Sequence, residues 1–424
     1  MRRAAACVLL CAGVVGLLPA PDPASGGPAA PLALATYESD HYRLETNVDP
    51  DVSAGYVRML EAMWPQLEAF FGRAPALGEG EKLSVCFLAT AEDWRTRMED
   101  DGVRVAPGPG GYYSPAQRRA YLFRQPTIYN SRQLLLHEAM HQFHFLACTH
   151  NTAPQDTWYT EGLVEHLSRH YWDGETLQLG VVPFCSLADY PTQAAGLLGQ
   201  DDYDLAALVA SERASTRPEQ WALVRFLLLG EGGRHAKAWA RLAKRLDAGQ
   251  PARSVFRKIV GKPERLLPAL RTWLATQQEP FVPIWNEWIG LSAHGVEGTA
   301  PVTSACRTRE PAAELSARLH VPDGAWKGGL LIGFQDMEAY TVFLLDDQGR
   351  YVVNRRVAGA WERLAGGAAP PPEERAYRLR AERGPGGVAV HVNDVLLGTF
   401  DRPGRSLGVC LDACTLRFTD ITWR

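Results

Sequence analysis

Near residue 283 the apolar residues of this chain stop recurring every three or four positions and begin to alternate. A period of 3.6 buries one face of a helix and a period of 2 buries one face of a strand, so neither half can adopt the architecture of the other. The chain therefore folds as more than one module. Its 424 residues point the same way, because a single hydrophobic core stops growing at about 250–300 residues.

Beyond residue 283 the runs "ELSARLHV", "GGLLIGF", "YTVFLLDD", "YVVNRRV", "YRLRAER", "VAVHVNDVLLGTF", "SLGVCL" and "TLRFTDITWR" follow one another at short intervals. Many short alternating strands argue for an antiparallel β-sandwich over 283–424. The "AGGAAPPPEE" stretch at 365–374 is expected to be an exposed loop between strands.

Before residue 283 the order is different. "HYRLETN" alternates like a strand, the segment from Asp51 to Arg73 repeats apolar residues at helical spacing, "KLSVCFLAT" is a buried strand and "AEDWRTRMEDDG" a helix ended by glycine. "GPGGYYSPAQRRAYLF" follows as a hairpin or edge strand, with Tyr112 and Tyr113 on the edge or in a core or turn role. A helix is expected from about Asn130 to Ala147, a second from about Thr160 to Tyr171, and mainly helix from about Asp201 to Gln277. The predicted organisation is an α+β domain over 36–280, mainly α in its second half, followed by the sandwich.

Residues 1–35 precede both modules. Two arginines, an apolar run of about 15 residues and a small-residue, proline-rich stretch have the layout of a secretory signal peptide and low-complexity leader, which implies a secreted, periplasmic or extracellular protein. No later segment reaches the roughly 20 apolar residues of a membrane span. With a formal net charge of −4, nothing suggests nucleic acid as a partner. Six cysteines remain after Cys7 and Cys11, none in a CxxC; Cys410 and Cys414 are close enough in sequence for a local disulfide.

The chemistry concentrates in "LLLHEAMHQF". Each helical residue advances about 100°, so His137 and His141 lie about 40° apart and one turn along the axis, and both imidazoles can reach one ion. Glu138 flanks them, where a carboxylate can take the proton of a metal-activated water without ligating the metal. A catalytic zinc takes three protein ligands and leaves a fourth position open. The next helix offers "WYTEGLVEHL", with Glu161 and Glu165 on one face. One can bind the metal while the other accepts the free N–H of a histidine ligand.

"HEAMH" followed by "WYTEGLVEHL" resembles the gluzincins, the thermolysin-like and MA-type metallopeptidases, and within them a group of bacterial exported, peptidase MA-like proteins. The resemblance covers about residues 36–280. It implies a Zn2+ cofactor held by His137, His141 and Glu161, with Glu138 as catalytic base and Glu165 orienting a histidine. It also implies peptide-bond hydrolysis by a zinc-activated water. The family places a tyrosine or histidine downstream as transition-state donor, but "RPEQWALVRFLL" begins with Arg217 and Pro218 and has no tyrosine. Tyr190, Tyr203 and His235 are the remaining candidates for that role. His166 and His170 are expected on a solvated face, and His144, two turns beyond His137, as a satisfied polar or core histidine.

The sandwich, with "HVND" and "LRFTDI", resembles concanavalin A-like and laminin G-like jelly-roll domains. A carbohydrate or cell-surface ligand is what that resemblance implies. The expected function is an exported zinc metallopeptidase acting on peptide or protein. The alternatives are an inactive zinc-containing binding protein and a carbohydrate-binding or carbohydrate-active protein acting through the sandwich.

Overall fold

The computed structural model describes residues 33–104, 110–401 and 404–424. The predicted signal peptide and nearly all of the leader lie outside the described residues. The chain divides into two compact units. One holds the residues up to His170 together with 174–180 and 202–270; the other holds 171–173, 181–201 and 271–424.

The first unit begins with β1 (Ala35–Glu38), β2 (Tyr42–Thr46), α1 (Pro50–Phe71), β3 (Leu83–Leu88), α2 (Ala91–Asp100), β4 (Gly111–Ser114) and β5 (Arg119–Phe123). The start of α1 follows from its sequence, since Asp49 accepts the first free N–H groups and Pro50 needs none. Gly72, at φ 67°, ends it in the left-handed conformation that glycine tolerates. The strands form one sheet in the order β1-β2-β3-β5-β4. Its centre is parallel, β2 to β3 and β3 to β5, whereas β4 runs antiparallel at the edge.

Against β3, β4 and β5 packs α3 (Ile128–Cys148). Thr127 caps it by accepting the Asn130 N–H. From Leu135 to Phe145 every residue of α3 is buried, because α1 and α4 (Thr157–Ser168) close on its other sides. Trp64 and Phe71 of α1 meet Phe143 at 5.0 and 5.8 Å. A helix buried all round cannot show a clean polar stripe. Gln142, in this core, donates from its amide nitrogen to the carbonyls of Ser84 and Arg118 and so joins the helix to the sheet, while its side-chain oxygen is buried without a hydrogen bond.

After α5 (Tyr190–Leu198), which belongs to the second unit, come α6 (Leu205–Val209), α7 (Arg217–Gly233), α8 (Ala236–Asp247) and α9 (Ala252–Ile259). Glu219 accepts the Thr216 N–H at 2.7 Å and thereby starts α7. Two expectations need correction here. The second helix of the motif starts and stops earlier than its apolar pattern indicated, at Thr157 and Ser168, because Arg169 turns extended. His166 and His170 are buried, not solvated. His166 faces Arg225 Nη1 at 3.2 Å, and His170 stacks on Tyr129 at 4.9 Å.

The second unit is a sandwich of two seven-stranded antiparallel sheets, and their inner faces share one apolar core. Strand Glu314–His320 alternates perfectly, with Leu315, Ala317 and Leu319 inward. The stretch read as a loop from residue 365 is in part a strand, Ala360–Ala368, paired with Arg350–Val357. Small residues such as Gly366 and Gly367 hid it, since a strand signature rests on β-branched and aromatic side chains. Segment 181–201 packs with this unit: Phe184 stacks on Phe281 at 4.4 Å, and Asp189 pairs with Arg309 at 2.9 Å. All six described cysteines are free thiols, Cys410 and Cys414 among them. Among the described residues, no helix is long and apolar enough to cross a membrane.

Burial of His166 and His170 makes the first unit acid-sensitive. Burial holds both well below the ordinary histidine value of 6.5, at about 3, with Arg225 adding to the effect on His166. Between pH 6.5 and 3 the unfolded chain binds protons that the folded chain refuses, so the folded state loses stability as pH falls through that window, by a few kcal/mol for each histidine. Above pH 6.5 neither contributes. In thermal melts across pH 3–8, His170→Phe, which keeps the stack on Tyr129 and cannot ionise, should lose less stability on acidification than wild type. Parallel curves would show that His170 is not a source of the sensitivity.

Candidate metal centre

Helices α3 and α4 bring the motif residues to one point. His137 Nε2 lies 3.3 Å from Glu161 Oε2, and His141 Nε2 lies 3.2 Å from Glu161 Oε1. The two imidazole rings are 4.8 Å apart and nearly perpendicular, at 81°. One donor atom from each of the three residues lies within 4.8 Å of the others. Ligands 2.0–2.1 Å from a tetrahedral ion stand about 3.3 Å apart, so the donor set fits a zinc-sized cation with little adjustment. Exposure is 2% for His137, 7% for His141 and 3% for Glu161, and Glu161 Oε2 makes no hydrogen bond. A buried carboxylate oxygen is costly unless positive charge lies beside it, and Arg217 and a bound cation can both supply that charge.

Glu165, one turn beyond Glu161, takes the orienting position: its Oε1 lies 3.4 Å from His137 Nδ1, and its Oε2 accepts from Gln133 at 3.1 Å. Glu138 is also buried, under the edge strand. It accepts the Tyr113 backbone N–H. A Cβ on Gly111 would stand 2.8 Å from its Cγ and Oε1, so β4 can approach only as glycine. Tyr113 itself faces the core, its hydroxyl bonded to Asn151 at 2.7 Å.

The residue that sequence reasoning passed over is Arg217. Its Nη1 sits 3.0 Å from His137 Nε2 and 3.4 Å from Nδ1. A donor on the Nε2 lone pair would be about 5 Å from Nδ1, given the hydrogen-bond length and the ring's width. Arg217 therefore lies beside the ring and leaves the lone-pair direction open. The same Nη1 reaches Glu161 Oε2 at 3.1 Å and bonds Glu165 Oε1. A faint trace existed in sequence, because a cation at the first position of a helix opposes the helix dipole and calls for a compensating partner.

These charges divide the carboxyls. Burial pushes Glu138 up to about 7, with the Glu161 charge adding to the rise and His141 and Arg217 opposing it. Burial would raise Glu161 too, but Arg217 and the two imidazoles outweigh it and hold that carboxyl well below the usual range. Glu165 is likewise held low against its burial, chiefly by Arg217 and then His137. The site thus contains two firmly ionised carboxylates and one poised near neutrality, the separation that proton transfer requires.

The three candidate transition-state donors lie outside α3 and α4. Tyr203 donates to Glu219 at 2.6 Å beneath Arg213, at the start of α7. His235 faces Glu231 at 3.3 Å and packs on Phe226. Tyr190 opens α5 in the second unit. His144 is buried and bonded to Asp247 at 2.9 Å.

No family model matches the chain, and no curated protein matches it. Among solved structures, it is similar to the carbohydrate-binding module CBM66 from Bacillus subtilis, at TM-score 0.30 and 16% identity over 34% of this chain and 95% of that one. Sheep galectin-11, in complex with glycerol, is similar at TM-score 0.24 and 16% identity, over 29% of this chain and 97% of that one. A xylan β-1,4-xylosidase from Bacillus halodurans C-125 gives TM-score 0.26 and 13% identity, over 33% and 36%.

The site depends on how closely α4 approaches α7. At Gly162, between Glu161 and Glu165, a Cβ would stand 2.5 Å from the Gln220 carbonyl oxygen and 2.7 Å from Val224 Cγ2. Alanine would gain about 1 kcal/mol of helix propensity there, yet forcing the helices apart costs about 1–3 kcal/mol or more, so the clash wins. Gly162→Ala should lower the melting temperature and weaken whatever cation binding the donor set provides about tenfold or more, since a second-sphere shift alone can do so. Competition with a chromophoric chelator measures the latter; an unchanged affinity would mean that α4 is not positioned by this contact.

Proposed function

We propose that the chain is a zinc-dependent metallopeptidase of the gluzincin type. The observation that carries this reading is the meeting of Glu161 with the imidazoles of His137 and His141, beside a buried carboxyl, Glu138, whose proton affinity lies near neutrality. His137, His141 and Glu161 would hold the ion, which when bound supplies Lewis acidity toward a carbonyl and a water molecule. Glu138 takes the proton of the attacking water and returns it to the departing amine. Its pinning by the Tyr113 N–H keeps it aimed at that water. Glu165 fixes the tautomer of His137.

Arg217 fills the place for which the sequence offered no tyrosine. It is a quarter exposed, so one end reaches toward a substrate while Nη1 clamps the two glutamates of α4. A guanidinium so held can donate to the carbonyl oxygen as negative charge builds on it. Among the described residues β4, next to Glu138, is an edge strand, the kind of strand to which an extended peptide can add. In this reading the sandwich is an accessory module that holds the enzyme to a surface or polymer.

A quenched-fluorescent peptide library, with metal analysis of the same samples, tests the proposal. Wild type should cleave. Glu138→Gln should keep its zinc and lose turnover by a factor of about 10²–10⁴, the usual worth of a general base. Arg217→Met should keep zinc and lower kcat by about 10²–10³ as a lost oxyanion donor does. Cleavage retained in Glu138→Gln would sink the assignment, and stoichiometric zinc with no cleavage by wild type would replace it with a binding role.

A further inference from the structure

Helix α3 carries a second cluster at its C-terminal end. His144 and Cys148 are four residues apart and so share one face. Asp247, the last residue of α8, meets them: a ring nitrogen, the thiol sulfur and a carboxylate oxygen lie within 4.8 Å of one another. Cys148 is a free thiol at the last residue of the helix. The cluster lies about two turns, or 10 Å, along the helix from His137, too far to share its ion.

The histidine is held in place before any ligand arrives. Its ring is fully buried, stacked on Phe71 at 5.1 Å and 7°, and packed edge-on against Tyr159 at 5.8 Å. Nε2 faces Asp247 Oδ1 at 2.9 Å, and the Tyr159 hydroxyl donates to the same oxygen at 2.8 Å. His144 Nδ1, in contrast, is buried without a hydrogen bond. A purely structural histidine would be expected to have both ring nitrogens satisfied. Here an imidazole nitrogen, a thiol and a carboxylate converge, on a ring whose other nitrogen has no hydrogen bond.

We propose that His144, Cys148 and Asp247 form a second metal site, separate from the first, for a divalent ion of the zinc class. Nitrogen, sulfur and oxygen donors together suit zinc and its neighbours and exclude calcium and magnesium, which take oxygen alone. Tetrahedral zinc holds nitrogen and oxygen ligands about 3.3 Å apart, so the ion needs only a slight parting of the His144–Asp247 pair. Entry of the ion releases the thiol proton of Cys148. Three protein donors leave one position to water. Such an ion would tie the end of α3 to the end of α8 and so brace the helix that carries His137 and His141.

The metal-free, reduced full-length chain, titrated with Co2+, tests the site, because a thiolate ligand gives a near-ultraviolet charge-transfer band that imidazole and carboxylate do not. Wild type and Glu161→Ala should both show the band, which makes the result independent of the peptidase reading. Cys148→Ser should abolish it and lose one bound equivalent, and Asp247→Asn, which keeps partners for Tyr159 and His144, should weaken Co2+ binding about tenfold or more. Absence of the band in wild type, or its survival in Cys148→Ser, would overturn the proposal.

Discussion

A carboxylate from one helix pressed against two imidazoles from another, all three buried, is the constraint on which the first unit depends. Groups of this kind are costly to bury unless they are paired or ligate a metal. His137, His141, Glu161, Glu165 and Glu138 are all buried within a few ångströms of one another. Arg217 supplies fixed positive charge to them, with Arg169 adding to it at Glu165. The surrounding fold can be understood as what it takes to keep these groups together at a tolerable free energy.

That requirement explains features that stability alone would not select. Helix α3 is enclosed on every side, by sheet, α1 and α4, so its polar face becomes the wall of a site and not a solvated stripe. Two glycines permit close approaches that any side chain would block: Gly111 lets the edge strand lie on Glu138, and Gly162 lets α4 lie on α7. Arginine at the start of α7 is unfavourable to that helix taken alone. Beside Glu161 and Glu165 its charge is compensated, and it becomes part of the site.

How much of this the sequence disclosed depended on the range of the interaction. The helix spacing of His137 and His141 is local, and so is that of Glu161 and Glu165, so each pair could be placed on one face from periodicity. The division into a mainly helical half and an alternating half was legible for the same reason. Arg217 was not, because its meaning comes from a contact with α4 across 52 residues of chain, and the expected chemistry called for a tyrosine. His166 misled because azimuth on one helix says nothing about what packs against the far side, where Arg225 closes it, and His170 because it lies beyond the end of the helix, stacked on Tyr129. The glycine-rich strand at 360–368 lacked the side chains that announce a strand, and its pairing with Arg350–Val357 is what forms it.

The convergence on Glu161 is also the most directly measurable element of the account. Zinc affinity of the purified full-length chain, compared with that of Glu161→Ala by chelator competition, isolates it from any question of substrate. Losing one of three ligands should weaken binding at the α3–α4 site by a factor of at least about 10², beyond the range of an outer-sphere change. Equal affinity in the two proteins would contradict the account, since it would mean that the carboxylate of α4 and the imidazoles of α3 do not share an ion.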